Sequence, residues 1–146
     1  MVFKVVIGSD HAGFKMKQEI IDYLKRRNIE VIDAGTYSEE SVDYPDIAQK
    51  VVKKVLDLNC LGILVCGTGI GMSITANKFK GIRCALCYNE YAAEYARKHN
   101  NANIIALGAR TMNIIEVKKM LDVFIKTPFE GERHERRLNK IKELEG

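Results

Sequence analysis

No apolar run in these 146 residues approaches the roughly 20 that cross a bilayer, so a membrane span is not expected. The opening MVFKVVIGSD is interrupted by Lys4 and lacks the basic-then-apolar layout of a signal peptide. There are two prolines, and no Ser/Pro-rich linker, repeat or low-complexity tract divides the chain, which reads as a single domain, 1–146. A net charge of +4 without a long positive stripe argues against a nucleic-acid track. The one dense basic cluster is Arg133, His134, Arg136 and Arg137, interleaved with Glu132 and Glu135, and it suits one small anionic ligand. Four cysteines without an export signal predict free thiols in a reducing, cytoplasmic compartment. Cys84 and Cys87 spell C-x-x-C, but further ligands are wanting and residues three apart on a strand face opposite ways, so no metal site is expected.

What remains is an ordinary globular composition, 47% hydrophobic and 29% charged, large enough for a real core. Short β-branched runs alternate with helical periods. Strands are expected at Val2–Ile7, Val31–Asp33, Ile63–Cys66, Arg83–Leu86 and Ile104–Leu107. Helices are expected at Phe14–Arg27, Pro45–Leu58, Gly71–Lys78, Glu90–Lys98 and Asn113–Ile125, with a helical tail from about Arg133 to Leu144. In the first helix Phe14, Ile20, Ile21 and Leu24 lie on one side, with lysines and arginines between them. In the tail, Leu138, Ile141 and Leu144 form an apolar strip expected to dock it. Strand–helix alternation predicts an α/β fold: a doubly wound three-layer α/β/α sandwich with a five-stranded parallel sheet and a C-terminal helical tail.

Ligands of such sheets bind beyond the carboxyl ends of the strands. There the sequence places GSDHAG, CGTGIGMS, YNEY and GART. The glycine turn after Cys66 has no lysine in the Walker position and spells G-x-G-x-G, not G-x-G-x-x-G. Glu90, about 20 residues on, keeps dinucleotide binding open as an alternative. Physically the turn offers N–H groups at a helix start, suited to an anion or a developing oxyanion. A cysteine there can serve as a nucleophile or a base, beside groups that hold the charge it creates. Asp10 and His11 follow the first strand, where Asp10 can cap the next helix. His99 closes a helix. Arg133 and Arg137, four apart, share a helix face, and with Arg110 they can clamp a phosphate.

The blocks GSDHAGFKMK, DAGTYS…DYPD, GILVCGTGIGMSITANK, GIRCAL, ARKHNNANIIALGAR and FEGERHERR resemble the ribose 5-phosphate isomerase B family, which includes the galactose 6-phosphate isomerase subunits, nearly end to end. The resemblance implies an aldose–ketose isomerase that interconverts ribose 5-phosphate and ribulose 5-phosphate through an enediolate. A six-carbon sugar phosphate (allose or galactose 6-phosphate) is the alternative substrate, and a non-catalytic nucleotide-binding module the alternative of another class. It implies no metal or organic cofactor, and a homodimer, possibly a tetramer, with active sites shared between subunits. It also implies residue roles. Cys66 is the base, and Thr68 with the amides from Gly67 through Gly69 and Gly71 to Ser73 is the anion hole. His99 and Asp10 open the ring. His11, Arg110, Arg133 and Arg137 hold the phosphate, while Tyr44 and Asn100 line the sugar. One branch of the family lacks the cysteine and has a glutamate where this chain has Met72, which cannot take a proton.

Overall fold

The computed structural model of the protein describes residues 3–146. Five strands, β1 (Lys4–Ser9), β2 (Glu30–Asp33), β3 (Leu61–Cys66), β4 (Cys84–Leu86) and β5 (Ile104–Gly108), form one sheet. Every pairing is parallel and the order is β2-β1-β3-β5-β4. Six helices accompany them: α1 (Phe14–Arg26), α2 (Tyr44–Leu58), α3 (Ile70–Ala76), α4 (Glu90–Lys98), α5 (Ile114–Lys126) and α6 (Arg133–Leu144). Val2, expected to open the first strand, lies outside the described residues. The other expected elements are all present, with ends shifted by a residue or two.

Alternation along the central strands splits the core in two. Val5, Ile7, Ile63, Val65, Ile105 and Leu107 face α1, α4 and α5, meeting Ile20, Leu24, Met120 and Phe124. Val6, Leu64, Cys66, Ile104 and Ala106 face α2 and α3, meeting Ile47, Val51, Val52 and Met72. Each such buried aliphatic or aromatic side chain contributes about 1.5–3 kcal/mol. Cys84 packs with the second cluster and Cys87 with the first, so the C-x-x-C thiols do point to opposite faces.

Two features depart from a simple amphipathic pattern, the second against expectation. Lys17 on α1 is 0% exposed, and its ammonium bonds both oxygens of Asp33 at 2.7 Å. An amphipathic stem carries the charge across the core edge to a carboxylate at the end of β2, and Asp33 also accepts the Gly35 N–H at 2.9 Å. The strip on α6 does not dock as a whole. Leu138 is half-buried, but Ile141 and Leu144 are 49% and 86% exposed.

Strand order places the change of winding direction between β1 and β3, because β1 leads to β2 on one side and β3 leads outward on the other. The crevice beyond that pair of carboxyl ends is where such a sheet receives a ligand. Cys66 is the last residue of β3.

Candidate active site

The turn after β3 is shaped by backbone chemistry. Gly69 precedes α3 with φ +84, a left-handed conformation that glycine adopts without strain. That geometry points the Gly69 N–H at Cys66 Sγ, 3.1 Å away. An N–H donor on sulfur stabilises negative charge there. Thr68 Oγ1 accepts the Ile70 N–H at 3.2 Å, which leaves its own hydrogen free to donate outward. The Thr68 carbonyl in turn accepts from the Tyr88 hydroxyl at 2.7 Å, pinning the turn to the end of β4. The N–H groups of Gly71 and Met72 meet no backbone or side-chain acceptor among the described residues, as expected in the first turn of a helix. Ser73 N–H closes the first helical bond, to Gly69 O at 3.0 Å.

Neighbouring segments converge on this turn. Asp10, buried, caps the 3-10 turn His11–Gly13 by accepting the Gly13 N–H at 3.2 Å, and its own N–H bonds Val65 O, beside Cys66. His11 Nδ1 accepts the Val42 N–H at 3.1 Å. The nitrogen left to face a ligand is therefore Nε2, carrying its hydrogen. Arg110 lies along Gly67, its Nη1 3.3 Å from where a β-carbon would stand, and its N–H bonds Gly67 O at 2.9 Å. The Tyr44 ring rests on Gly71, and a β-carbon there would sit 2.5 Å from the ring. No larger residue fits without moving the tyrosine. Asp10, His11, Tyr44, Cys66, Thr68 and Arg110 thus share one rim.

His99, Asn100, Arg133 and Arg137 do not join them within the chain. α4 starts at the carboxyl end of β4 and runs back, so His99, its C-cap, stands at the amino end of the sheet. Gly62 pairs with Ile104 just beyond that helix, and from Gly62 to Cys66 the strand rises about 13 Å, at about 3.3 Å per residue. Arg133 and Arg137 sit on α6 at the same end, exposed. Among the described residues, none of Arg110, Arg133 and Arg137 has a carboxylate within 4.0 Å. Three unpaired guanidiniums suit an anion. A concavity of about 650 Å³, bordered by Lys4, Cys60, Arg83 and Arg97, also opens at the amino end and contains none of the expected site residues.

Tyr88 was not singled out from the sequence, and His134 was read there only as one member of a basic cluster. Tyr88 holds the turn, and its only signal was a place in YNEY after the fourth strand. His134 is buried and stacked on His99, and nothing in a charge-rich helix marks one imidazole as internal.

A protein-family model described as Ribose/Galactose Isomerase matches residues 5–141. Ribose-5-phosphate isomerase B of Escherichia coli (strain K12) is 43% identical over 97% of this chain and 96% of its own. The structure of Clostridium thermocellum ribose-5-phosphate isomerase B superposes with a TM-score of 0.96 at 50% identity, covering 98% of this chain and 97% of the other. That of Mycoplasma genitalium ribose-5-phosphate isomerase B with bound ribulose-5-phosphate superposes with a TM-score of 0.94 at 43% identity, covering 99% and 97%.

Proposed function

Because the chain belongs to the ribose/galactose isomerase family, we propose that it interconverts D-ribose 5-phosphate and D-ribulose 5-phosphate with Cys66 as the base. The observation that carries the assignment is the Cys66 sulfur at the mouth of the β1–β3 crevice, 3.1 Å from the Gly69 N–H. In the open-chain aldose, the Cys66 thiolate removes the proton from C2. The electron pair moves toward the carbonyl and forms an enediolate charged at O1, the O2 hydroxyl proton passes to O1, and the proton held by Cys66 returns at C1. Negative charge on the sugar oxygens is met by the Thr68 hydroxyl and by the free N–H groups of Gly71 and Met72. Base and oxyanion donors thereby come from one strand–turn–helix. General base catalysis typically supplies about 10²–10⁴-fold, and one oxyanion donor about 10²–10³-fold.

Ring opening is assigned to His99 and Asp10, and the phosphate to His11 Nε2–H, Arg110, Arg133 and Arg137, with Tyr44 and Asn100 along the sugar. His99 and the two α6 arginines lie at the far end of the sheet in their own chain, so this assignment requires a homodimer. In it, His99, Asn100, Arg133 and Arg137 of the partner subunit face Cys66. Ile70, Ile74, Tyr88 and Tyr91, exposed around the Cys66 turn, are the apolar surface such a contact would cover. Among the described residues no helix is long and apolar enough to cross a membrane, and the four cysteines are free. Both fit a cytoplasmic enzyme.

Cys66→Ser tests the base. It should fold normally by circular dichroism yet lose isomerisation by at least about a hundredfold, together with deuterium exchange at C2 of ribose 5-phosphate. Near-wild-type turnover in that variant would remove Cys66 from the chemistry.

A further inference from the structure

At the amino end of the sheet the His99 imidazole is held between two rings. His134 stacks on it with centroids 3.9 Å apart and planes 14° from parallel. Tyr95 meets it edge-on at 4.7 Å and 76°. His134 is 4% exposed, and its Nε2 is buried without a hydrogen-bond partner. An apolar residue would fill that place on α6 without leaving a polar atom unpaired. Glu130, whose N–H bonds Lys98 O at 3.0 Å, brings its Oε2 to 3.6 Å from His134 Nε2 and 4.0 Å from His99 Nε2.

These three side chains place ligand atoms within 4.8 Å of one another, the spacing of a small cation site. Parallel stacked rings, however, aim their lone pairs side by side and not at one point. Arg133 and Arg137 on the same helix make the neighbourhood positive. The arrangement fits a different task. From this geometry we propose that His134 and Glu130 are positioning residues for His99: His134 fixes the plane of its ring, and Glu130 balances the charge it takes up during ring opening. The proposal rests on the ring-opening role given to His99 above. Burial, with His99, Arg133 and Arg137 nearby and only Glu130 opposing them, pushes the His134 imidazole below its ordinary proton affinity. A neutral His134 leaves the proton cycle to His99, since two stacked imidazoles tolerate one positive charge far better than two.

Ribulose 5-phosphate separates positioning from general damage. Its O5 carries the phosphate, so it has no five-membered ring to open, and exchange of its C1 hydrogen with solvent deuterium needs Cys66 but not His99. Turnover of ribose 5-phosphate needs both. His134→Ala should slow ribose 5-phosphate turnover by about tenfold or more, as misplaced catalytic groups do, while C1 exchange on ribulose 5-phosphate stays near wild type. His134→Phe, which keeps a flat ring, should restore most of the turnover. Glu130→Gln, at a 44% exposed side chain where folding is not at stake, should show the same split. Exchange and turnover falling together, or Glu130→Gln leaving both unchanged, would overturn the proposal. His99→Asn is the reference. If it fails to split exchange from turnover, the ring-opening role of His99 is what fails. If it splits them and the other variants do not, only the positioning role is lost.

Discussion

Combining two inactive variants in one dimer gives the sharpest test of the shared site. Cys66 closes β3 at one end of the sheet, and His99 caps α4 at the other. The roughly 13 Å of strand between those levels exceeds what rotation of an imidazole or a thiol spans, since consecutive Cα atoms are only about 3.8 Å apart. Cys66→Ala and His99→Asn should therefore each be nearly inactive alone, yet complement one another. A two-fold contact occurs twice, so a dimer with one chain of each kind has two composite sites. One receives both native residues and the other receives both replacements. Random reassortment of equal amounts makes about half the dimers mixed, and half of the sites in those are intact, so about a quarter of wild-type activity should return. The two variants would be unfolded and refolded together, the mixed species identified by native mass spectrometry, and ribose 5-phosphate turnover measured. A mixed dimer present in the expected proportion but without activity would mean that Cys66 and His99 act within one chain, and the two-ended reading of the sheet would be wrong.

Three further outcomes are expected. Arg137→Ala should raise KM for ribose 5-phosphate with kcat little changed, and inorganic phosphate should inhibit it less than wild type; unchanged KM and inhibition would return that guanidinium to solvent. Iodoacetamide near neutral pH should inactivate by modifying Cys66, with substrate protecting, and should spare Cys84 and Cys87, whose thiols burial pushes up to about 12 and about 11; peptide mapping that finds Cys84 or Cys87 alkylated in the native protein would contradict this. Lys17→Met should cost about 2–4 kcal/mol in urea unfolding, because it leaves the Asp33 carboxylate without its buried cation, and a loss below about 0.5 kcal/mol would show the pair to be worth no more than a surface bridge.

Much of the carboxyl rim was legible because strand, turn and helix follow one another in sequence. Cys66, Thr68 and Gly69 are neighbours in the chain, so the local pattern already sets their geometry. Asp10 as a cap and His99 at a helix end were readable for the same reason. Strand order was not, because β5 enters between β3 and β4 through contacts no local period encodes. The burial of Lys17 was not legible, because its partner sits on a strand outside the helix and a helical period reports a face but not what lies opposite it. The same holds for Ile141 and Leu144, whose apolar character is plain in sequence and whose cover is not. His134 shows the converse, a polar letter in a polar helix that packing turns inward against His99.

The order β2-β1-β3-β5-β4 also has a consequence for synthesis. β3 ends at Cys66 and acquires its second neighbour only when Ile104–Gly108 has left the ribosome, some forty residues after β3 itself. Until then one side of an apolar strand is an open row of amides and carbonyls, and β4, already made, has no strand to pair with. The central hydrogen-bond ladder is therefore completed late, by a long-range contact that no fragment ending before residue 104 can form. Nascent chains stalled between β4 and β5 would expose that unpaired edge, the kind of surface that makes folding intermediates prone to aggregate. A premature stop anywhere before β5 removes the middle of the sheet and not merely its edge.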